Sequence, residues 1–221
     1  MSVLHPKFGE LPLDFPVFPL VGALLLPHGK LPLNIFEPRY LAMVEDALAG
    51  QRMFGLIQPD AHQPEVENGP AMFGVGCLGR LSSFSETDDE RFLISVTGLI
   101  RFDVKDELSL RRGYRRVVAD FSRYQQDLEI PADPLPQRMR LMAALRAYFA
   151  ANGFDANWDA IEGMADDELV VTLAMICPFD PVEKQALLEA VDPGARAATL
   201  LMLLEMGARG DPGLGLGRPL S

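Results

Sequence analysis

The sequence predicts an α+β fold: a small, partly closed β-barrel with one helix inserted early, followed by a bundle of helices. Three observations predict it. Up to about Phe121 the apolar residues come in short segments broken by Gly, Pro and Asp, the spacing of strands and turns. One segment in that half, beginning at Pro38, has a helical period instead. Beyond Pro131 the period is helical throughout.

In chain order, residues 1–11 read as a loose lead-in. Phe15–Leu20 carries Pro16 and Pro19, and proline has no N–H for a ladder, so this segment is expected at a sheet edge or rim. Pro27, His28 and Gly29 mark a turn, and the chain resumes extended from Leu31 to Phe36. Glu37 stands where a helix begins, with Pro38 at its first position, where no N–H is needed. Leu41, Val44 and Leu48 share a helical face, and Gly50 closes the helix. Met53–Gln58 reads as a buried strand and residues 59–70 as a surface loop. A long extended segment from Ala71 contains Gly74, Gly76 and Gly79, which suggest bulges or close backbone packing. It turns at Thr87–Glu90 and pairs back through Arg91–Thr97; Gly98 is expected to break that strand before a further one reaching Val104. Tyr114–Phe121 is the last strand expected.

Residues 130–136 hold three prolines in seven positions and read as a linker. Four helices are expected after it. The first, Leu135–Ala150, places Met139, Met142, Leu145 and Phe149 on one face. The second, Asp166–Ile176, places Leu169, Leu173 and Ile176 likewise and stops before Pro178. The third opens with Asp180, Pro181 and Glu183, nearly a capping box. The fourth opens with Asp192 and Pro193 and buries Leu200, Leu203 and Leu204. The expected boundaries are a barrel subdomain over residues 11–130, a helical subdomain over 131–206 and a disordered tail over 207–221.

Composition narrows the function classes. Apolar residues make up 48% and charged residues 23%, an ordinary globular balance. A formal net charge of −11 argues against sequence-independent nucleic-acid binding, which draws on cations neutralising phosphates. The cluster Arg111, Arg112, Arg115 and Arg116 is a local exception, read as a solvated loop running into a strand. No apolar run approaches the ~20 residues of a membrane-spanning helix. The N-terminal residues lack the basic and apolar regions of a secretion signal, so a cytoplasmic protein is expected. Cys77 and Cys177 lack metal spacing; they suit a reduced compartment, with a disulfide left open.

Few motifs carry chemistry. Gly74, Gly76 and Gly79 fit G-x-G-x-x-G, but no strand-to-helix turn surrounds them, so no dinucleotide site is expected. Between Gly22 and Lys30 the spacing is too long for a P-loop, and Leu31 replaces the magnesium-binding hydroxyl. His5, His28 and His62 are scattered, and Asp88, Asp89 and Glu90 read as a solvated turn, so no metal site is expected. No G-x-S-x-G elbow is present, and Lys7, Lys30, Lys105 and Lys184 have no serine–lysine setting. No catalytic residue and no cofactor are assigned.

The run from Phe18 to Tyr40, and above all Leu31–Leu48, resembles the substrate-binding domain found at the amino terminus of Lon-type proteases, its free-standing bacterial members most closely. Val96, Gly98 and Arg101 resemble that family's Val-x-Gly-x-x-Arg strand, and Gln185–Glu189 followed by Asp192 and Arg196 resembles its late helices. The similarity spans most of residues 11–206. It implies a PUA-like pseudo-β-barrel followed by a C-terminal α-helical bundle, and a non-catalytic module recognising unfolded polypeptide or a partner protein. Association with a separate ATP-dependent protease is left open. On the residues, Phe18, Phe36, Arg39 and Tyr40 are candidates for a peptide-binding border; the competing expectation is that Arg39 pairs with Glu37 or Asp46 and Tyr40 closes the barrel mouth. Other functions weighed are a peptidase with an unrecognised site, and RNA binding through Arg111–Arg116, which rests on fold analogy alone.

Overall fold

The computed structural model describes residues 6–129, 135 and 137–209, and the chain divides into two compact units between residues 130 and 131. The expected tail and most of the expected linker lie outside the described residues.

The first unit is a ring of strands. In chain order these are β1 (Asp14–Pro19), β2 (Lys30–Ile35), β3 (Met53–Ile57), β4 (Val75–Glu86), β5 (Phe92–Arg111) and β6 (Tyr114–Asp120). The sheet runs β2-β5-β4-β3-β1-β6, and β6 pairs again with β5 to close the ring. β1 and β3 are parallel; the other pairs are antiparallel. β5 is long enough for two jobs. Its first half pairs with β2 and its second with β6. The ring is therefore not a regular barrel, and β2 hangs from it as an outer strand.

Two expectations change here. β1 is not an edge: it lies between β3 and β6. Its prolines fit because the two ladders are offset along it. The β6 ladder covers Asp14–Val17 and the β3 ladder Val17–Pro19. Leu20 N–H donates to the Ile57 carbonyl at 3.0 Å, so by alternation the Pro16 nitrogen faces β3 before that ladder begins. The Pro19 nitrogen faces β6 after that ladder has ended. Likewise, Gly98 does not end a strand. It sits inside β5 at a bulge, where the register shifts between Leu78 and Gly79.

Gly98 is where another segment crosses. Residues 24–29 pass over it, with His28 N–H donating to its carbonyl at 2.9 Å and its own N–H donating to Gly29 O at 2.8 Å. Gly29 N–H in turn donates to Leu26 O at 3.0 Å, closing a turn with Pro27 and a left-handed His28 (φ 66°) at its centre. Leu24, Leu25 and Leu26 are buried by this crossing without forming a strand.

The inserted helix α1 (Pro38–Ala49) has the expected bounds, Glu37 before it and Gly50 after. Its buried stripe is Tyr40, Met43, Val44 and Ala47; Leu41 and Leu48 are half-buried at its flanks. The stripe alone does not hold it. Arg112 donates to Glu45 and to Asp46 at 2.6 and 2.9 Å, Arg111 pairs with Asp46 at 3.2 Å, and the Tyr114 hydroxyl donates to Asp46 at 2.6 Å. The Tyr114 hydrogen bond holds the Asp46 carboxyl below the usual carboxylate range, against burial and with help from both arginines. Burial, and then Asp46 itself, push the Tyr114 phenol up to about 12. Asp46 therefore contributes stability that is present above about pH 4 and lost as the pH falls through its depressed pKa. Tyr114 contributes below about pH 10 and loses its share as the pH rises through its raised value. Asp46→Asn is expected to cost about 1–2 kcal/mol at pH 7 and to flatten the acid limb of a stability–pH curve measured by urea unfolding.

The second unit contains α2 (Arg138–Asn152), α3 (Trp158–Glu162), α4 (Asp166–Ile176), α5 (Pro181–Glu189) and α6 (Pro193–Ala208). Among the described residues five helices stand where four were expected; the extra one is a single turn capped by Asn157, whose side chain accepts from Ala160 N–H. Asp180 and Glu183 form a complete capping box, and Asp192 accepts from Ala195 N–H. The α2 face differs from the expected one. Leu141, Ala144, Leu145 and Tyr148 are buried, whereas Met139 is 87% exposed. Tyr148 packs so closely on Gly207 of α6 that a Cβ there would overlap its ring. In α4, Leu169, Val170, Leu173 and Ala174 are buried and Ile176 is 62% exposed. Both cysteines are buried and free, so no disulfide forms.

Candidate functional site

The four sequence candidates separate into two layers. Phe18 in β1 and Tyr40 in α1 are buried against each other, ring centroids 4.2 Å apart. They belong to the core that seats the helix on the ring. Arg39 lies over the outer face of Tyr40, 4.6 Å from its centroid, and donates to Glu37 at 2.8 Å; the alternative partner Asp46 is taken by β5, β6 and the turn between them. Phe36, between β2 and α1, is 61% exposed. Phe36 and Arg39 are thus on the surface, with Phe18 and Tyr40 beneath it.

Phe36 stands at one end of a more extensive feature, the three-stranded wing β2–β5–β4. Its register aligns Asn34 with Leu93 and Leu93 with Ser85, and Leu33 with Ile94 and Ile94 with Phe84. Phe92, Ile94 and Val96 are buried on one side, while Leu93 between them is 46% exposed. Phe84 is 40% exposed and leans edge-on against Phe92, at a centroid distance of 4.9 Å. The Arg91 guanidinium lies 5.8 Å from the Phe36 ring. A shallow open hollow of about 500 Å³ lies on the wing, lined by Pro32, Leu33, Asn34, Ser83–Ser85 and Leu93–Ser95. None of these side chains is ionised. β2 pairs only with β5, so its far edge has no strand beside it among the described residues.

The hollow, Leu93 and Phe84 are absent from the sequence candidates. One signal was available: Leu93 is an apolar residue at an outward position of an otherwise alternating strand.

The other sequence features find structural partners. Val96, Gly98 and Arg101 all act in packing: Val96 is fully buried, Gly98 admits the crossing segment, and Arg101 meets Asp127 in a buried pair. Gly76 and Gly79 lie within β4, where a Cβ would strike Phe102 or Val96, and no helix follows them. Each of Arg111, Arg112, Arg115 and Arg116 is ion-paired, with Asp46, Glu45, Glu107 and Asp14 among the partners, so these four do not form an unpaired cationic cluster for phosphates. Asp89 pairs with Arg91 and accepts from Thr87, as a turn requires. No helix among the described residues is long and apolar enough to cross a membrane.

Comparisons with known proteins agree with this architecture. The family model of the ATP-dependent protease La (LON) substrate-binding domain matches residues 14–206. Lon protease 2 of Myxococcus xanthus is 23% identical over 197 residues, which are 88% of this chain and 24% of that protein. Lon protease of Syntrophus aciditrophicus (strain SB) is 25% identical over 229 residues, covering 92% of this chain and 27% of that protein. This chain thus spans about a quarter of the length of these relatives. The crystal structure of a Lon N-terminal domain protein from Xanthomonas campestris superposes with a TM-score of 0.60 at 22% identity, over 86% of this chain and 97% of that one, a likeness of fold. On the match over residues 14–206, the chain belongs to the LON substrate-binding domain family.

Proposed function

We propose that the chain is a non-catalytic recognition module that holds extended segments of unfolded polypeptide on the β2–β5–β4 wing. The observation that carries this is the pairing of an open strand edge with an uncharged hollow and the exposed Leu93 and Phe36. Exposed apolar clusters of this kind mark interaction surfaces, and an open edge gives an extended peptide backbone partners whatever its sequence. Membership of a substrate-binding family supports the same reading. The sequence expectation put the proline-marked edge at β1; the open edge is β2 instead, where Pro32 lacks the N–H donor of the other residues.

In this reading residues 11–130 form a PUA-like barrel subdomain and residues 131–206 a helical bundle subdomain. Phe36 and Arg39 border the bound segment, while Phe18 and Tyr40 act beneath them by seating α1. A held segment is handed to an ATP-dependent protease, in line with the names of the relatives, which are Lon proteases.

The test is a titration of the protein into a fluorescently labelled, permanently unfolded polypeptide, read by anisotropy. Saturable binding with the label intact is expected. The double variant Leu93→Ser/Phe36→Ser is expected to weaken binding about tenfold or more with an unchanged circular dichroism spectrum, because both side chains are exposed in the free protein. Unaltered affinity in that variant rejects the wing as the site, and progressive loss of anisotropy through cleavage rejects a non-catalytic module.

A further inference from the structure

The two ends of the hollow differ in charge, and from this we infer which polypeptide segments it selects; the inference rests on the wing being the polypeptide site. Beyond Ser85 and Leu93, the end of β4 and the following turn carry Glu86, Asp88, Asp89 and Glu90 against the single Arg91. Arg91 is engaged by Asp89 at 2.8 Å. Glu86, Asp88 and Glu90 are exposed and make no ion pair among the described residues. At the opposite end Lys30 opens β2 across from Thr97, exposed and likewise without an ion pair among the described residues. Between them lie the uncharged lining residues, over the about 20 Å that six extended residues span. The chain as a whole carries a formal net charge of −11, which disfavours acidic segments from any direction.

A segment added beside β2 therefore meets carboxylates where β2 ends, the Glu37 and Arg39 that follow β2 being paired with each other, and a lone ammonium where β2 begins. Antiparallel addition is the more stable pairing per residue and places the segment's N-terminal end at the carboxylates. The occupant is an extended client segment of about six residues, with apolar side chains at alternate positions and Lys or Arg at its N-terminal side. Segments with acids at that side are rejected. The carboxylates are exposed, so the preference is screened by salt, whereas the apolar contribution is not.

Three labelled peptides test this, sharing one alternating apolar core and carrying two Lys at the N-terminal end, two Lys at the C-terminal end, or two Glu at the N-terminal end. At low salt the N-terminal Lys peptide is expected to bind about fivefold tighter than the C-terminal Lys peptide, the size given by a few exposed ion pairs, with the Glu peptide weakest. The difference is expected to vanish in about 0.5 M salt and in the variant Glu86→Gln/Asp88→Asn/Glu90→Gln, whose exposed side chains carry no part of the core. Equal binding of the two Lys peptides overturns the inference and leaves polypeptide recognition standing. A preference that survives Glu86→Gln/Asp88→Asn/Glu90→Gln places its origin elsewhere and also overturns it. Failure of all three to bind overturns both readings, and a dimer by sedimentation would then make a second copy of this chain the occupant of the β2 edge.

Discussion

Asp127→Ala is expected to destabilise the first unit by about 3–5 kcal/mol, the cost of stranding a buried charge. Arg101 lies within the ring on β5, 1% exposed, and its acidic partner is Asp127. The contact is bidentate: Nε and Nη2 each donate at 2.8 Å to separate carboxylate oxygens, and the Arg101 backbone N–H donates to Oδ2 at 3.1 Å. Burial alone would lower the Arg101 pKa, and the Asp127 bonds override it so that the net shift is upward. The guanidinium also stacks over Tyr124, 4.7 Å from its centroid. Asp127 and Tyr124 belong to the 3-10 turns of Ser122–Leu128 that follow β6, so the pair ties the end of the unit to the middle of β5. Removing the carboxylate leaves a cation in the core and a strand N–H without its acceptor. Replacing both partners with apolar residues, as in Arg101→Met/Asp127→Leu, is expected to restore much of the loss, because no buried charge remains. Urea unfolding of the two variants separates these outcomes. A loss below about 1 kcal/mol in Asp127→Ala would mean that water reaches Arg101 and that the pair does not lock the ring.

This pair shows what the sequence could and could not reveal. Arg101 was visible as part of a recurrent strand pattern, but nothing in the 26 positions separating it from Asp127 announces that the two meet. Features set by near neighbours were legible. Glu37, Pro38 and Gly50 bound α1, Asp180 and Glu183 form their box, and Thr87–Glu90 makes its turn, because each depends on backbone groups within a few residues. Features set by distant partners were misjudged. Proline in β1 argued for an edge, and only the offset between two ladders shows how an interior strand accommodates it. The α2 face was read from its largest apolar residues, Met139 and Met142 among them, whereas the close approach of α6 at Gly207 selects Tyr148. The wing was hidden for the same reason. Its lining comes from three strands, and their alignment exists only once β2 and β4 are both registered on β5.

Gly98→Val is the second large effect expected, a loss of about 3 kcal/mol or more that prevents the ring from closing over residues 24–29. Even the first carbon of a side chain at Gly98 would lie inside the van der Waals envelope of the Leu26 carbonyl, a backbone group that cannot rotate away. The Leu25 side chain stands 3.3 Å from the same point. Relief would require lifting the turn at Pro27–Gly29, which breaks the hydrogen bonds that Gly98 exchanges with His28 and Gly29. It would also uncover Leu24, Leu25 and Leu26, three buried side chains each contributing about 1.5–3 kcal/mol by burial. Gly98→Ala, which adds only that first carbon, is expected to show most of the effect, since the clash begins at Cβ. Gly74→Ala provides the control: it precedes β4 directly, and a Cβ there meets no atom within contact distance. Thermal melts followed at a far-ultraviolet strand signal should therefore rank Gly74→Ala close to the parent and both Gly98 variants well below it. Parent-like stability in Gly98→Ala would show that residues 24–29 yield easily, and that the crossing is not what holds β2 against β5.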